Sequence, residues 1–98
     1  MGDINRDEGV VELNNPPRFS YGQKVRARRL VRNDGTFAGK DIGDVLVTKG
    51  EVGYVATIGT FLQQFYIYGV DFVDRGYRVG MRAKELEAID PDSESVKE

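Results

Sequence analysis

Residues 65–73 alternate with a period of two: Tyr66, Tyr68, Val70 and Phe72 fall on one face of an extended segment, and Phe65, Ile67 and Gly69 on the other. Both faces are partly apolar, which predicts an interior strand. Shorter runs rich in β-branched and aromatic residues predict four more strands. The first covers residues 23–31, with Val25, Ala27 and Arg29 on one face. The others cover residues 44–49, where Val45 and Val47 align, residues 52–58 and residues 77–82. Asp74-Arg75-Gly76 predicts the hairpin turn between the last two, and residues 83–86 read as one helical or 3-10 turn before a short pairing near residues 87–89. No 11-residue window carries a helical stripe, and ten of the twelve glycines punctuate the stretch from Gly22 to Gly80. The pattern predicts an all-β fold, a small SH3-like barrel of about five strands with a terminal 3-10 turn.

The pattern fades at both ends. Residues 1–17 are polar without a sustained period and close on Pro16-Pro17; residues 90–98 are acidic, with Pro91 and alternating serines. Both are expected to be disordered tails around a barrel domain of residues 18–89, and residues 1–15 and 90–98 are expected to be dispensable for folding. Charge follows the same division. A net −2 conceals −3 in each tail and +4 in the body between them. That arrangement suits an acidic protein surface as a partner better than a phosphate backbone.

Composition narrows the chemistry. With 98 residues the chain has room for one small domain, and it holds neither cysteine nor histidine. Thiolate and imidazole metal ligation, disulfides and Cys or His nucleophilic catalysis are thereby excluded. Asp34 and Asp41 share a loop, but their spacing and turn-rich surroundings suit solvated or capping roles rather than paired acid–base work. No catalytic residue, metal ligand or cofactor is expected, so the protein is read as a non-enzyme. No apolar run reaches the ~20 residues that span a bilayer, and residues 1–15 lack the features of a signal peptide. A cytoplasmic location without membrane contact is expected.

Two loops are the candidate binding elements. Residues 32–43 run Arg32-Asn33-Asp34-Gly35-Thr36-Phe37 and onward, longer than joining two strands demands. Phe37 there either folds inward as a plug or presents an aromatic contact. Residues 59–64 run Gly59-Thr60-Phe61-Leu62-Gln63-Gln64, and no turn requirement accounts for Gln63. The tripeptide Gly-Thr-Phe occurs in both, and on a barrel rim the two loops can converge into one surface. Arg32, Asn33, Asp34, Thr36, Phe37, Thr60, Phe61, Leu62 and Gln63 are therefore the expected partner-binding residues. Gly35, Gly39, Gly53, Gly59 and Gly80 are expected to serve turns. The basic cluster of Arg18, Lys24, Arg26, Arg28, Arg29 and Arg32 reads either as a solvated strand face or as a set of guanidinium forks for anions.

Taken together, Arg32 to Phe37, Gly39, Gly50-Glu51-Val52-Gly53-Tyr54-Val55, Gly59 to Gln63, Tyr68, Val70, Phe72, Val79, Gly80, Arg82, Glu85 and Leu86 closely resemble the NifZ family of nitrogen-fixation accessory proteins. The resemblance covers roughly residues 18–87 and implies an SH3-like barrel. It further implies a chaperone-like factor that binds the immature nitrogenase molybdenum-iron protein, or its assembly intermediates, and assists maturation of its paired iron-sulfur (P) clusters, with other maturation factors as further partners. Ala38 stands where relatives often carry Pro, and Met81 where a Cys is common. The alternative reading is an RNA-binding or ribosome-associated KOW-like barrel, suggested by Tyr21-Gly22-Gln23-Lys24-Val25 and Gly50 to Val55. Acidic tails and a negative net charge count against it, so nucleic acid is not expected as a partner.

Overall fold

The computed structural model describes residues 12–89. Seven strands form: β1 Lys24–Ala27, β2 Val31–Arg32, β3 Val45–Val47, β4 Val52–Phe61, β5 Phe65–Phe72, β6 Tyr77–Met81 and β7 Leu86–Ala88. The long β4–β5 hairpin is the spine, and β5 is interior as its two apolar faces require, burying Tyr68, Val70 and Phe72 on one side. Five strands pair in the order β6-β5-β4-β1-β7, and β2 and β3 form a separate antiparallel ribbon. The ribbon contributes Leu46 and Val47 to the same core as Val25, Val55, Tyr68, Val70, Phe72, Met81 and Leu86. Fully burying a Val, Leu, Phe or Met side chain contributes about 1.5–3 kcal/mol, so this shared core, rather than any ladder, holds the ribbon to the sheet. A 3-10 turn at Ala83–Glu85 precedes β7, as the sequence leads one to expect.

Several expectations need correction. A single strand over residues 23–31 would have placed Arg29 in phase with the buried Val25 and Ala27; the chain instead bends after Ala27, leaves Arg29 exposed and begins β2 at Val31. β4 runs to Phe61, three residues past its expected end, because Gly59, Thr60 and Phe61 pair with Ile67, Tyr66 and Phe65. Among the described residues, no ladder joins β2 or β3 to the five-stranded sheet, so the strands do not close into a hydrogen-bonded barrel. Gly35 and Gly39 do serve turns, at φ +107° and +93°. Gly53, Gly59 and Gly80, however, lie inside strands. At Gly53 the reason is close approach, since a Cβ would fall 2.6 Å from the Asp71 carbonyl oxygen and 2.6 Å from Val70 Cγ1.

The packed structure also begins before the expected boundary at residue 18. Glu12–Asn14 forms a 3-10 turn against the start of β5. The Glu12 amide donates to the Gln64 carbonyl at 2.7 Å, Glu12 Oε1 accepts from the Tyr66 amide at 3.0 Å, and the Tyr66 hydroxyl donates to the Asn15 carbonyl at 2.6 Å. The remaining tail residues, 1–11 and 90–98, lie outside the described residues. Removing residues 1–15 should therefore lower stability by about 1–2 kcal/mol more than removing residues 1–11, since the longer cut strips partners from two backbone groups and a hydroxyl. Urea denaturation of the two truncations checks this; equal midpoints and slopes would restore the earlier boundary.

Candidate functional site

The loop between β2 and β3 is organised around one side chain. Asn33 is 2% exposed. Its Nδ2 donates to the carbonyls of Phe37, Lys40 and Asp41 at 3.0–3.2 Å, and its Oδ1 accepts from the amides of Gly35 and Phe37 at 2.9 and 3.0 Å. These groups sit in a segment without strand partners, and a buried backbone donor or acceptor must find one. Asn33 is thus a scaffold for the loop and not a partner-contacting residue, contrary to the sequence expectation. Asp34 remains exposed and accepts from both the amide and hydroxyl of Thr36, at 3.1 and 2.7 Å. The Thr36 hydroxyl, followed by its amide, holds the Asp34 carboxyl below its ordinary pKa. Phe37 turns inward, half-buried, with its ring edge-on to Tyr77 at 4.9 Å. Arg32 remains at the surface, where its Nη1 donates to the Gly43 carbonyl at 2.8 Å.

The second element is a strained hairpin tip. Leu62 and Gln63 both have positive φ, +54° and +56°, although neither is glycine. A tight turn matching the twist of paired strands needs left-handed backbone at its two central positions, which Asn-Gly supplies readily and Leu-Gln only at an energetic cost. The Glu12 turn braces the tip through Gln64. Leu62 is 70% exposed and Phe61 50%. An apolar residue held in an unfavourable conformation to face solvent meets no folding requirement, and such strain concentrates at functional positions. Phe61 lies 5.4 Å from Phe65, and the Arg82 guanidinium stacks on the Phe65 ring at 3.7 Å.

The two elements meet in one groove of about 690 Å³. Arg32, Asp34, Thr36 and Phe37 line it together with Phe61, Phe65 and Arg82. Of the other expected site residues, Thr60 belongs to a neighbouring depression on the outer face of β4, β5 and β6, while Leu62 and Gln63 lie at the tip of the hairpin that carries Phe61. Sequence reasoning missed Arg82 and Phe65, which lie just beyond the β5–β6 ladder that starts at Tyr68 opposite Met81 and meet in the stack of guanidinium on ring. Two members of the basic cluster are ion-paired. Arg26 pairs with Glu87 at 2.9 Å, and Arg29 approaches Glu85 at 3.9 Å. Among the described residues, no group of three or more acidic side chains could hold a metal ion.

The best-formed ion pair lies elsewhere and ties the β3–β4 turn to the β5–β6 turn. Arg75 donates to both oxygens of Glu51 at 2.6–3.0 Å, and the Thr48 amide and hydroxyl add bonds of 2.9 and 2.8 Å. The Arg75 hydrogen bonds lead in lowering the Glu51 pKa from 4.5 to about 2. Because the folded value is depressed, this stabilisation is complete above pH 4.5 and is lost as pH falls toward 2. Glu51→Gln is expected to be less stable by about 1–2 kcal/mol at neutral pH, with the deficit vanishing near the acid end. Urea midpoints of both proteins across the acid range test this; a deficit independent of pH would assign the loss to packing.

The NifZ domain family matches residues 16–88. A NifZ relative from Sinorhizobium fredii is 56% identical over 86 residues, covering 88% of this chain and 79% of its own length. One from Rhodobacter capsulatus is 53% identical over 78 residues, 80% of this chain and the whole of that protein. The Azotobacter vinelandii NifZ is 49% identical over 70 residues, 71% of this chain and 44% of its own longer sequence. No solved structure shows significant similarity.

Proposed function

This chain belongs to the NifZ family, and we propose that it is a cytoplasmic accessory protein of nitrogenase maturation that binds an incompletely matured molybdenum-iron protein and favours completion of its P clusters. The observation carrying this reading is the strained hairpin tip, which exposes Phe61 and Leu62 beside the loop that Asn33 organises. With no cysteine or histidine, the chain has no ordinary side-chain ligand for an iron-sulfur cluster. Its contribution is then a shape-selective grip on a partner, not carriage of the cluster or catalysis. The architecture is read as an SH3-like barrel whose wall is open between β2 and β6, so the rim loops remain accessible. Ion pairing within the basic cluster weakens the RNA-binding alternative, since phosphate recognition relies on accumulated uncompensated charge.

Arg32→Ala combined with Gln63→Ala should change stability by no more than about 1 kcal/mol, because both side chains are exposed and Arg32 gives up one surface hydrogen bond. Capture of the molybdenum-iron protein from cells blocked in its maturation should nonetheless fall, as should the activity those cells recover when complemented. Unchanged capture by a well-folded double variant would remove this rim from the proposed site.

A further inference from the structure

The groove lies beside two strand edges. β6 ends the five-stranded sheet and β2 bounds the ribbon; among the described residues neither has a strand on its outer side. Residues 29–32 and 78–80 line the same groove, and it is fastened near Tyr77, whose hydroxyl donates to the Leu46 carbonyl at 2.8 Å. An edge of this kind presents alternating backbone donors and acceptors that an added extended chain can match.

Charge indicates what that chain carries. Arg29, Arg32, Arg78 and Arg82 line the groove with only Asp34 and Glu85 opposing them. Both carboxylates are engaged, Asp34 by Thr36 and Glu85 by the Arg82 amide and Arg29. Arg78 is paired with Asp71 at 2.6 Å. Arg32 reaches only a carbonyl, and Arg82 only the face of Phe65. Among the described residues, then, these two guanidinium groups have no carboxylate partner, and the same lining includes the apolar Leu46, Phe61, Phe65 and Val79. A guanidinium fork with spare donors is matched by a carboxylate, and the apolar lining by an intervening aliphatic side chain.

We propose that this groove receives an extended acidic segment of a partner protein, which adds as a strand to the outer edge of β6, places carboxylates on Arg32 and Arg82 and lays an apolar side chain against Phe61 and Phe65. The inference rests on the partner-binding reading of this rim and specifies the chemistry it recognises.

The test uses the isotope-labelled full chain and an amidated Thr-Glu-Thr-Val-Thr-Glu-Thr peptide, whose two carboxylates and intervening aliphatic side chain share one face of an extended strand, acetylated for amide NMR and fluorescein-labelled for fluorescence anisotropy. Saturable binding is expected below about 1 mM, with shifts and added exchange protection centred on Arg78 to Met81. Arg32→Gln with Arg82→Gln should weaken it at least about tenfold, and added salt should weaken binding to the parent protein. A lysine-for-glutamate peptide, and one with proline at alternate positions, should not bind the parent protein. These two controls keep the proposal testable if the double variant folds poorly. Absence of binding, shifts confined to other surfaces, equal binding of the proline peptide, or tighter binding of an oligouridine would each overturn it. Capture of immature molybdenum-iron protein is measured in parallel. If rim variants impair capture while the peptide fails to bind, strand addition falls and the maturation role stands. If the peptide binds as described and no nitrogenase protein is captured, the groove stands and the maturation role falls.

Discussion

Asn33→Ala is expected to lower the unfolding free energy by about 2–4 kcal/mol, a large share of the stability of a domain this size. The substitution removes an amide that bonds three carbonyls and two backbone amides at a buried position, and leaves those groups without their side-chain partner. Asn33→Asp separates donor from acceptor. It retains an oxygen for the Gly35 and Phe37 amides but turns a second oxygen toward the carbonyls of Phe37, Lys40 and Asp41, so it should also be strongly destabilising. Urea denaturation measures both. A loss below about 1 kcal/mol in either variant would mean that the loop holds its shape without this side chain.

Replacing Leu62 with Asn and Gln63 with Gly should act in the opposite direction on stability, raising it by about 1–2 kcal/mol. The pair converts two left-handed residues at φ +54° and +56° into the dipeptide that prefers that backbone. The same change deletes the exposed Leu62 side chain, so capture of the partner should fall while the melting temperature rises. Few surface substitutions shift the two readouts in opposite directions, which makes the variant diagnostic. A rise in stability with undiminished capture would show that the tip's strain serves nothing in binding. A fall in stability would show that Leu62 packs in a way its exposure does not suggest.

The sequence revealed elements whose pattern is local and concealed those that depend on register. Residues 65–73 announce an interior strand because their two faces are set by period alone, and the 3-10 turn at Ala83–Glu85 is legible for a similar reason. Gly59-Thr60-Phe61 reads as a loop by composition, yet three cross-strand pairs with β5 keep it extended. Loop length alone places Asn33 among the expected partner-binding residues; that five backbone groups converge on it becomes visible only once the loop is closed. Glu12 sits in a polar stretch with no period, so its bracing of the hairpin tip left no local signal. Convergence of the two Gly-Thr-Phe segments holds in part, since Phe37 and Phe61 line one groove while Thr60 lies outside it. The SH3-like closure inferred from strand number found no ladder between β2 and β6, and strand count alone does not determine which edges meet.

A protein that promotes maturation by gripping its partner must distinguish the unfinished form from the finished one, because equal affinity for both would shift no equilibrium. The most direct measurement is therefore the affinity of this chain for the molybdenum-iron protein purified from cells blocked before P-cluster completion, compared with the fully matured protein at the same salt concentration. Tighter binding to the immature form by at least about tenfold, abolished by Leu62→Asn with Gln63→Gly, is the expected result. Equal affinity for the two forms, or binding to neither, would contradict the proposed mechanism.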